Sequence, residues 1–196
     1  MSNIPASPTQ KALMSTATTE MSFPAATDAG MFALWHPAWF ATIIDYPTWE
    51  ASLHEDRDIA AHIDAGHLVP VNIGGDGAFQ FLVRANASHA PTLTERERRY
   101  HVVASQPYRF QSPGAAYLTG IEHIGAEPWP GTTAIALPEG QYAVTVNVID
   151  WEAEPGAQDP QGRPTPQALP DFVVLIGPPR GDDIAFRTKI QTFDLP

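Results

Sequence analysis

Gln141-Tyr-Ala-Val-Thr-Val-Asn-Val-Ile149 alternates with a period of two. Tyr142, Val144, Val146 and Val148 recur at the spacing that places side chains on one face of a strand, and Thr145 and Asn147 fall on the other, solvent-facing side. Downstream, Phe172-Val-Val-Leu-Ile176 carries no polar interruption, so it is expected in the middle of a sheet with both faces covered. Upstream, Phe79, Phe81 and Val83 point one way in Ala78-Phe-Gln-Phe-Leu-Val-Arg84. With Leu68-Val-Pro-Val-Asn-Ile73 ahead of it and Gly74-Gly-Asp-Gly77 between, this arm reads as half of a β-hairpin closed by a glycine turn.

Further strands are expected at 31–36, 100–105, 108–111, 115–121 and 133–137, separated by Pro113-Gly114, Pro128-Trp-Pro-Gly131, Pro138-Glu-Gly140 and Gly177-Pro-Pro179. Short strands punctuated by Pro/Gly turns predict a mainly β chain, an antiparallel, jelly-roll-like β-sandwich. The core is expected to hold Phe79, Phe81, Val83, Tyr142, Val144, Val146, Val174 and Ile176.

One short helix is expected at 49–65, with Glu50, Glu55, Asp56 and Asp58 early in it and Gly66 at its end. The charged run 54–58 has no apolar stripe and is where this helix would divide into two pieces. Residues 39–46 fit strand or loop equally. The Ser/Thr/Ala/Pro-rich residues 1–28 read as a flexible N-terminal arm and 29–196 as a single β-sandwich domain. The segment 152–170, rich in Pro, Gln, Gly and Asp, reads as a long surface loop, mobile or functional.

The composition excludes several chemistries. The chain has 196 residues, 22 acids and 11 bases, for a formal charge of −11, so it would repel the phosphates that a nucleic-acid binder must neutralise. The charge is uneven: −6 over 1–65, +2 over 66–112 and −7 over 113–196. The one basic cluster, Arg96, Arg98 and Arg99, is interleaved with Glu95 and Glu97 and reads as a solvated loop or strand start. With no cysteine there is neither a disulfide framework nor a thiolate site. No apolar run reaches the roughly 18 residues of a membrane span, and residues 1–27 lack a continuous apolar stretch, so a cytoplasmic protein is expected.

Glycines 74–77 precede a strand and lack a following Lys-Ser/Thr, so they are not a phosphate loop, and no Gly-x-Ser-x-Gly elbow occurs. The seven histidines lack zinc-hydrolase spacing, and His54 with Glu55, Asp56 and Asp58 reads as a helix start rather than a metal site. No metal or cofactor is expected. Glu122 and His123 are the one candidate acid–base pair, although neighbours on a strand face opposite ways. Aromatics in polar loops are candidate recognition anchors: Trp129, between two prolines, and Trp151, flanked by Asp150, Glu152 and Glu154.

The run from Ile59 to Asp150 combines Ile59-Ala-Ala-His-Ile-Asp-Ala-Gly66, Asp76-Gly-Ala-Phe-Gln-Phe81 and Thr94-Glu-Arg-Glu97 with Gly120-Ile-Glu-His-Ile124 and Ala136-Leu-Pro-Glu-Gly-Gln-Tyr142. In that order these motifs resemble the competence-associated inhibitors of a DNA-entry nuclease, a family of small bacterial β-sandwich proteins. The resemblance covers about half the chain. It implies an acidic, non-enzymatic binding protein, an inhibitor or immunity-type partner of a nuclease or other basic protein. The expected partner-binding residues are Asp150, Trp151, Glu152, Glu154 and Trp129, and the partner a protein with a basic surface. Two alternatives stand beside it: a small-ligand-binding or enzymatic sandwich using Glu122 and His123, and an accessory subunit docked through 152–170.

Overall fold

The computed structural model describes residues 18–181 and 184–194. In chain order its elements are β1 (Thr19–Thr27), β2 (Met31–Trp35), α1 (Tyr46–Leu53), α2 (Asp56–Ala65), β3 (Leu68–Asn72), β4 (Gly77–Ala85) and α3 (Glu95–Arg99). Then follow β5 (His101–Ala104), β6 (Tyr108–Ser112), β7 (Ala115–Gly120), β8 (Ile135–Ala136), β9 (Gly140–Ile149) and β10 (Phe172–Gly177). The larger sheet runs β1-β4-β10-β9-β5, with β6 also on β9, and the smaller runs β3-β2-β7-β8.

The two sheets share one core. Phe32 from the smaller sheet packs edge-on against Phe81 of the larger at 5.0 Å, and Phe81 stacks on Phe172 at 4.9 Å. Phe81, Val83, Tyr142, Val144, Val146, Val174 and Ile176 are buried as expected, and Phe79 packs at the core's margin. Every residue of β10 is buried, as its uninterrupted apolar run requires. Truncating Phe172 to alanine would cost about 3–5 kcal/mol through lost transfer energy and the cavity left behind.

Several expectations change. The all-antiparallel arrangement fails at one seam, where β10 pairs antiparallel with β9 and parallel with β4. A period-two or continuous apolar pattern encodes burial and not strand direction, so the sequence could not show this. The expected hairpin does not form: β3 pairs with β2 in one sheet, and β4 joins β1 and β10 in the other. The glycines between them carry the chain from sheet to sheet against Gly30, whose carbonyl accepts the N–H groups of Ile73 and Gly74 at 2.9 and 3.1 Å. Gly30 has φ +71°, and a Cβ there would lie 2.9 Å from the Gly75 nitrogen.

Three α-helices, not one, stand among the described residues. The 49–65 helix is divided at His54–Glu55, with α1 started by an Asp45–Thr48 capping box and α2 ended by left-handed Gly66. The Arg cluster forms α3, started by a Thr94–Glu97 capping box. Residues 19–27 of the expected arm form β1 and pair with β4 along its whole length, and the arm's residues 1–17 lie outside the described residues.

Asn147 is buried rather than solvent-facing. The outer face of the larger sheet is covered there by a second cluster of Ile149, Leu169, Val173 and Leu175, with Trp151 and Tyr100 against it. Asn147 donates its side-chain N–H to the Val173 carbonyl at 3.0 Å, which satisfies the buried amide. The segment 152–170 is tied back by burial of Ala157 and Leu169 and by Arg96, which donates to Glu154 and to the Gln167 carbonyl at 2.7 Å.

Candidate functional site

Two segments, 43–49 and 121–129, lie side by side. The Ala126 N–H donates to the Ile43 carbonyl at 2.8 Å, and the Trp49 indole N–H donates to the Ile121 carbonyl at 3.0 Å. The turn of the first segment is set by the capping box: the Asp45 carboxylate accepts the Thr48 N–H at 3.0 Å, and Thr48 Oγ1 accepts the Asp45 N–H at 3.1 Å. In the second segment a 3-10 turn (Ile121–His123) leads to Trp129, whose flanking prolines restrict the backbone.

Between the segments runs a groove of about 620 Å³. Buried Ile43 and Ile124 form part of its lining. Two aromatic pairs line it: Tyr46 stacked with Trp49 at 6.1 Å and 17°, and His123 tilted against Trp129 at 4.9 Å and 33°. Ile44, Tyr46 and Trp129 are 77%, 66% and 59% exposed, three of the five exposed large hydrophobics among the described residues. Scattered exposed apolar side chains are ordinary, but three on one groove mark a contact surface.

Asp45, Glu122 and Glu127 supply the acidic groups of the lining. Hydrogen bonds from the Thr48 side chain and backbone hold the Asp45 carboxyl below the usual range, so it stays ionised. Glu122 is a clamp: Oε2 accepts from the Thr27 hydroxyl at 2.9 Å and Oε1 from the Asp28 N–H at 3.0 Å. Gly120 makes room for that carboxylate, because a Cβ there would collide with it. Glu122 and His123 therefore engage different neighbours, the β1–β2 turn and Trp129, and do not form an acid–base pair.

The acidic residues after β9 lie around a different, smaller depression of about 180 Å³, lined by Asp150, Trp151, Glu152 and Asp171 among others. Trp151 is half-buried, and its indole N–H donates to Asp171 Oδ1 at 2.9 Å, while Asp171 Oδ2 accepts the Gln80 N–H at 2.7 Å. Asp150 accepts the Ala153 N–H at 3.1 Å, and Glu154 Oε1 accepts from Arg96 Nε at 2.7 Å. Glu152 is exposed. Trp129 is not part of this group; it belongs to the groove.

His67 stacks flat under Trp39 at 4.6 Å, and His62 meets Phe40 at 4.8 Å. Among the described residues no three His, Cys, Asp or Glu side chains are grouped to hold a metal ion. Sequence reasoning missed Ile44, Tyr46 and Trp49 as site residues. The available signal was Ile43-Ile44-Asp45-Tyr46, an apolar run with neither helical nor strand period.

No protein-family model matches the chain, and no curated protein matches it. Two solved structures share its outline. The product of crocagin biosynthetic gene J is 17% identical, covers 85% of this chain and 100% of its own, and superposes with a TM-score of 0.55. This chain has a similar fold. ComJ from Bacillus subtilis, described as an inhibitor of the DNA degrading activity of NucA, is 12% identical over 83% of this chain and 98% of its own, with a TM-score of 0.43. That second overlap is too loose to bear on function.

Proposed function

We propose that this chain is a non-enzymatic, acidic binding protein that seats a segment of a protein partner in the groove between 43–49 and 121–129. The observation that carries this reading is the joint exposure of Ile44, Tyr46 and Trp129 on walls joined by the Ala126–Ile43 backbone bond and the Trp49 indole bond to Ile121. The two sheets, packed through one core as a sandwich, are the scaffold that holds those walls. The formal charge of −11 favours a partner with a basic surface, and a nuclease, which must hold DNA on such a surface, is the class to test first. Asp150, Trp151, Glu152 and Glu154 then form a second, acidic contact region: exposed Glu152 steers association, while Trp151 and Glu154 fix the loop.

A second reading rests on the groove's size, since about 620 Å³ lies within the range of small-molecule sites. One experiment separates the two. A photo-crosslinking residue at position 129, used in the source cells, identifies what contacts the groove, and the purified partner is then titrated against Trp129→Ala. The docking reading predicts a crosslinked protein and a loss of about 2 kcal/mol or more in binding. A crosslinked small molecule favours the second reading, and unchanged affinity for the partner removes the groove from the interface. If the partner is a nuclease, its cleavage of DNA should fall on binding.

A further inference from the structure

The lining of the groove is selective in chemistry, and we infer that it is built to hold a guanidinium group, an arginine side chain of the partner, between the Tyr46/Trp49 and His123/Trp129 pairs. This inference rests on the docking reading above. The first ground is the aromatic lining: ring faces attract cations, and a planar guanidinium also stacks on them. The second is charge. Asp45 and Glu127 line the same groove, Asp45 is kept ionised by Thr48, and no Lys or Arg lines it. The third is the surrounding sequence. Both walls are drawn from stretches with no base, for none lies between Lys11 and Arg57 or between Arg109 and Arg163, whereas those two stretches hold 13 of the acids. The lining of the groove is therefore net negative. A neutral apolar segment would leave the charge of Asp45 and Glu127 uncompensated, whereas an arginine beside an apolar residue matches both the rings and the carboxylates. Ile44 supplies the apolar neighbour.

The test uses the intact chain and two blocked tripeptides, acetyl-Leu-Arg-Leu-amide and its citrulline counterpart, which has nearly the same shape and no charge. Binding is followed by NMR shifts of the Trp129 and Trp49 indole N–H resonances, with thermal unfolding as the check that each variant is folded. The expected result is saturable binding of the arginine peptide, about tenfold weaker binding of the citrulline peptide, and weakening of the arginine peptide by Glu127→Gln and by Trp129→Leu. Equal binding of the two peptides at the groove overturns the guanidinium site and leaves the docking reading intact. Shifts that map elsewhere, or no binding by either peptide while a crosslinked partner still depends on Trp129, overturn it as well. Failure of the docking reading itself has a different signature: a partner whose affinity is indifferent to Trp129.

Discussion

Arg84 and Glu97 form a two-bonded guanidinium–carboxylate pair, at 3.1 and 3.0 Å, with both side chains almost withdrawn from solvent. Arg84 also donates to Glu20 of β1 at 2.7 Å and to the Thr92 carbonyl at 3.1 Å, so one guanidinium joins the edge strand, the sheet and α3. Removing Glu97 leaves the buried Arg84 guanidinium with only Glu20 and the Thr92 carbonyl as partners. Glu97→Ala is expected to lose about 1.5–3 kcal/mol of stability, measured by urea unfolding, because Arg84 keeps its pair with Glu20, whereas Arg96→Ala, at the half-exposed pair with Glu154, should lose no more than about 1 kcal/mol.

The same pair has a pH signature. Burial alone would push the Glu97 carboxyl up, but hydrogen bonds from Arg84 and Thr94 and the Arg84 charge hold it below the ordinary range. Its contribution is therefore fully present above the unfolded value of about 4.3 and is lost as pH falls through the lower folded value. Acid unfolding followed by circular dichroism should show a shallower loss in Glu97→Gln than in the parent.

His62 and His67 act at higher pH. Burial holds both imidazoles below their ordinary value, and for His62 the neighbouring His67 adds to this while Asp58 opposes it. The unfolded chain takes up these protons first, so stability is intact above about pH 6.5 and declines as pH falls through the folded values. Urea midpoints between pH 8 and 5 should fall, and the slope should shrink in the double variant His62→Gln/His67→Gln.

The groove's two tryptophans should separate cleanly. Trp129→Ala removes a mostly exposed side chain and should change stability by no more than about 0.5 kcal/mol. Trp49→Phe keeps a ring but removes the indole bond to the Ile121 carbonyl, which retains only the Ile124 N–H at 3.2 Å, and thermal or urea unfolding should register about 0.5–1.5 kcal/mol.

Gly120→Ala should displace the Glu122 carboxylate from Thr27 and Asp28, at a cost of about 1–3 kcal/mol. In Glu122→Ala the clash is gone, so adding Gly120→Ala should cost less than it does in the parent. Strict additivity in that double-mutant cycle would disprove the clamp.

The burial pattern was legible in the sequence because alternation and apolar runs report which side chains leave water. Val144, Val146, Val174 and Ile176 lie where their spacing put them. Strand partners were not legible. The Gly74–Gly77 turn fits a hairpin locally, and only the distant contact with Gly30 shows that it bridges two sheets. Asn147 shows a further limit, since its alternation predicted solvent and a remote segment around Leu169 covered it instead. At the groove, Trp129 was visible as a loop aromatic between prolines. Ile44 and Tyr46 were not, because they carry no period and gain meaning only beside 121–129.

The placement of β10 also has a consequence in time. Phe172 lies between Phe81 of β4 and Val148 of β9, so the middle of the larger sheet is filled by a strand that leaves the ribosome after both of its neighbours. Until then β4 and β9 present two unpaired edges and an open apolar slot. Synthesis from Gly77 to Gly177 is thus an interval in which the nascent chain exposes sheet edges to other nascent chains, and closing the slot requires long-range pairing that is intrinsically slow.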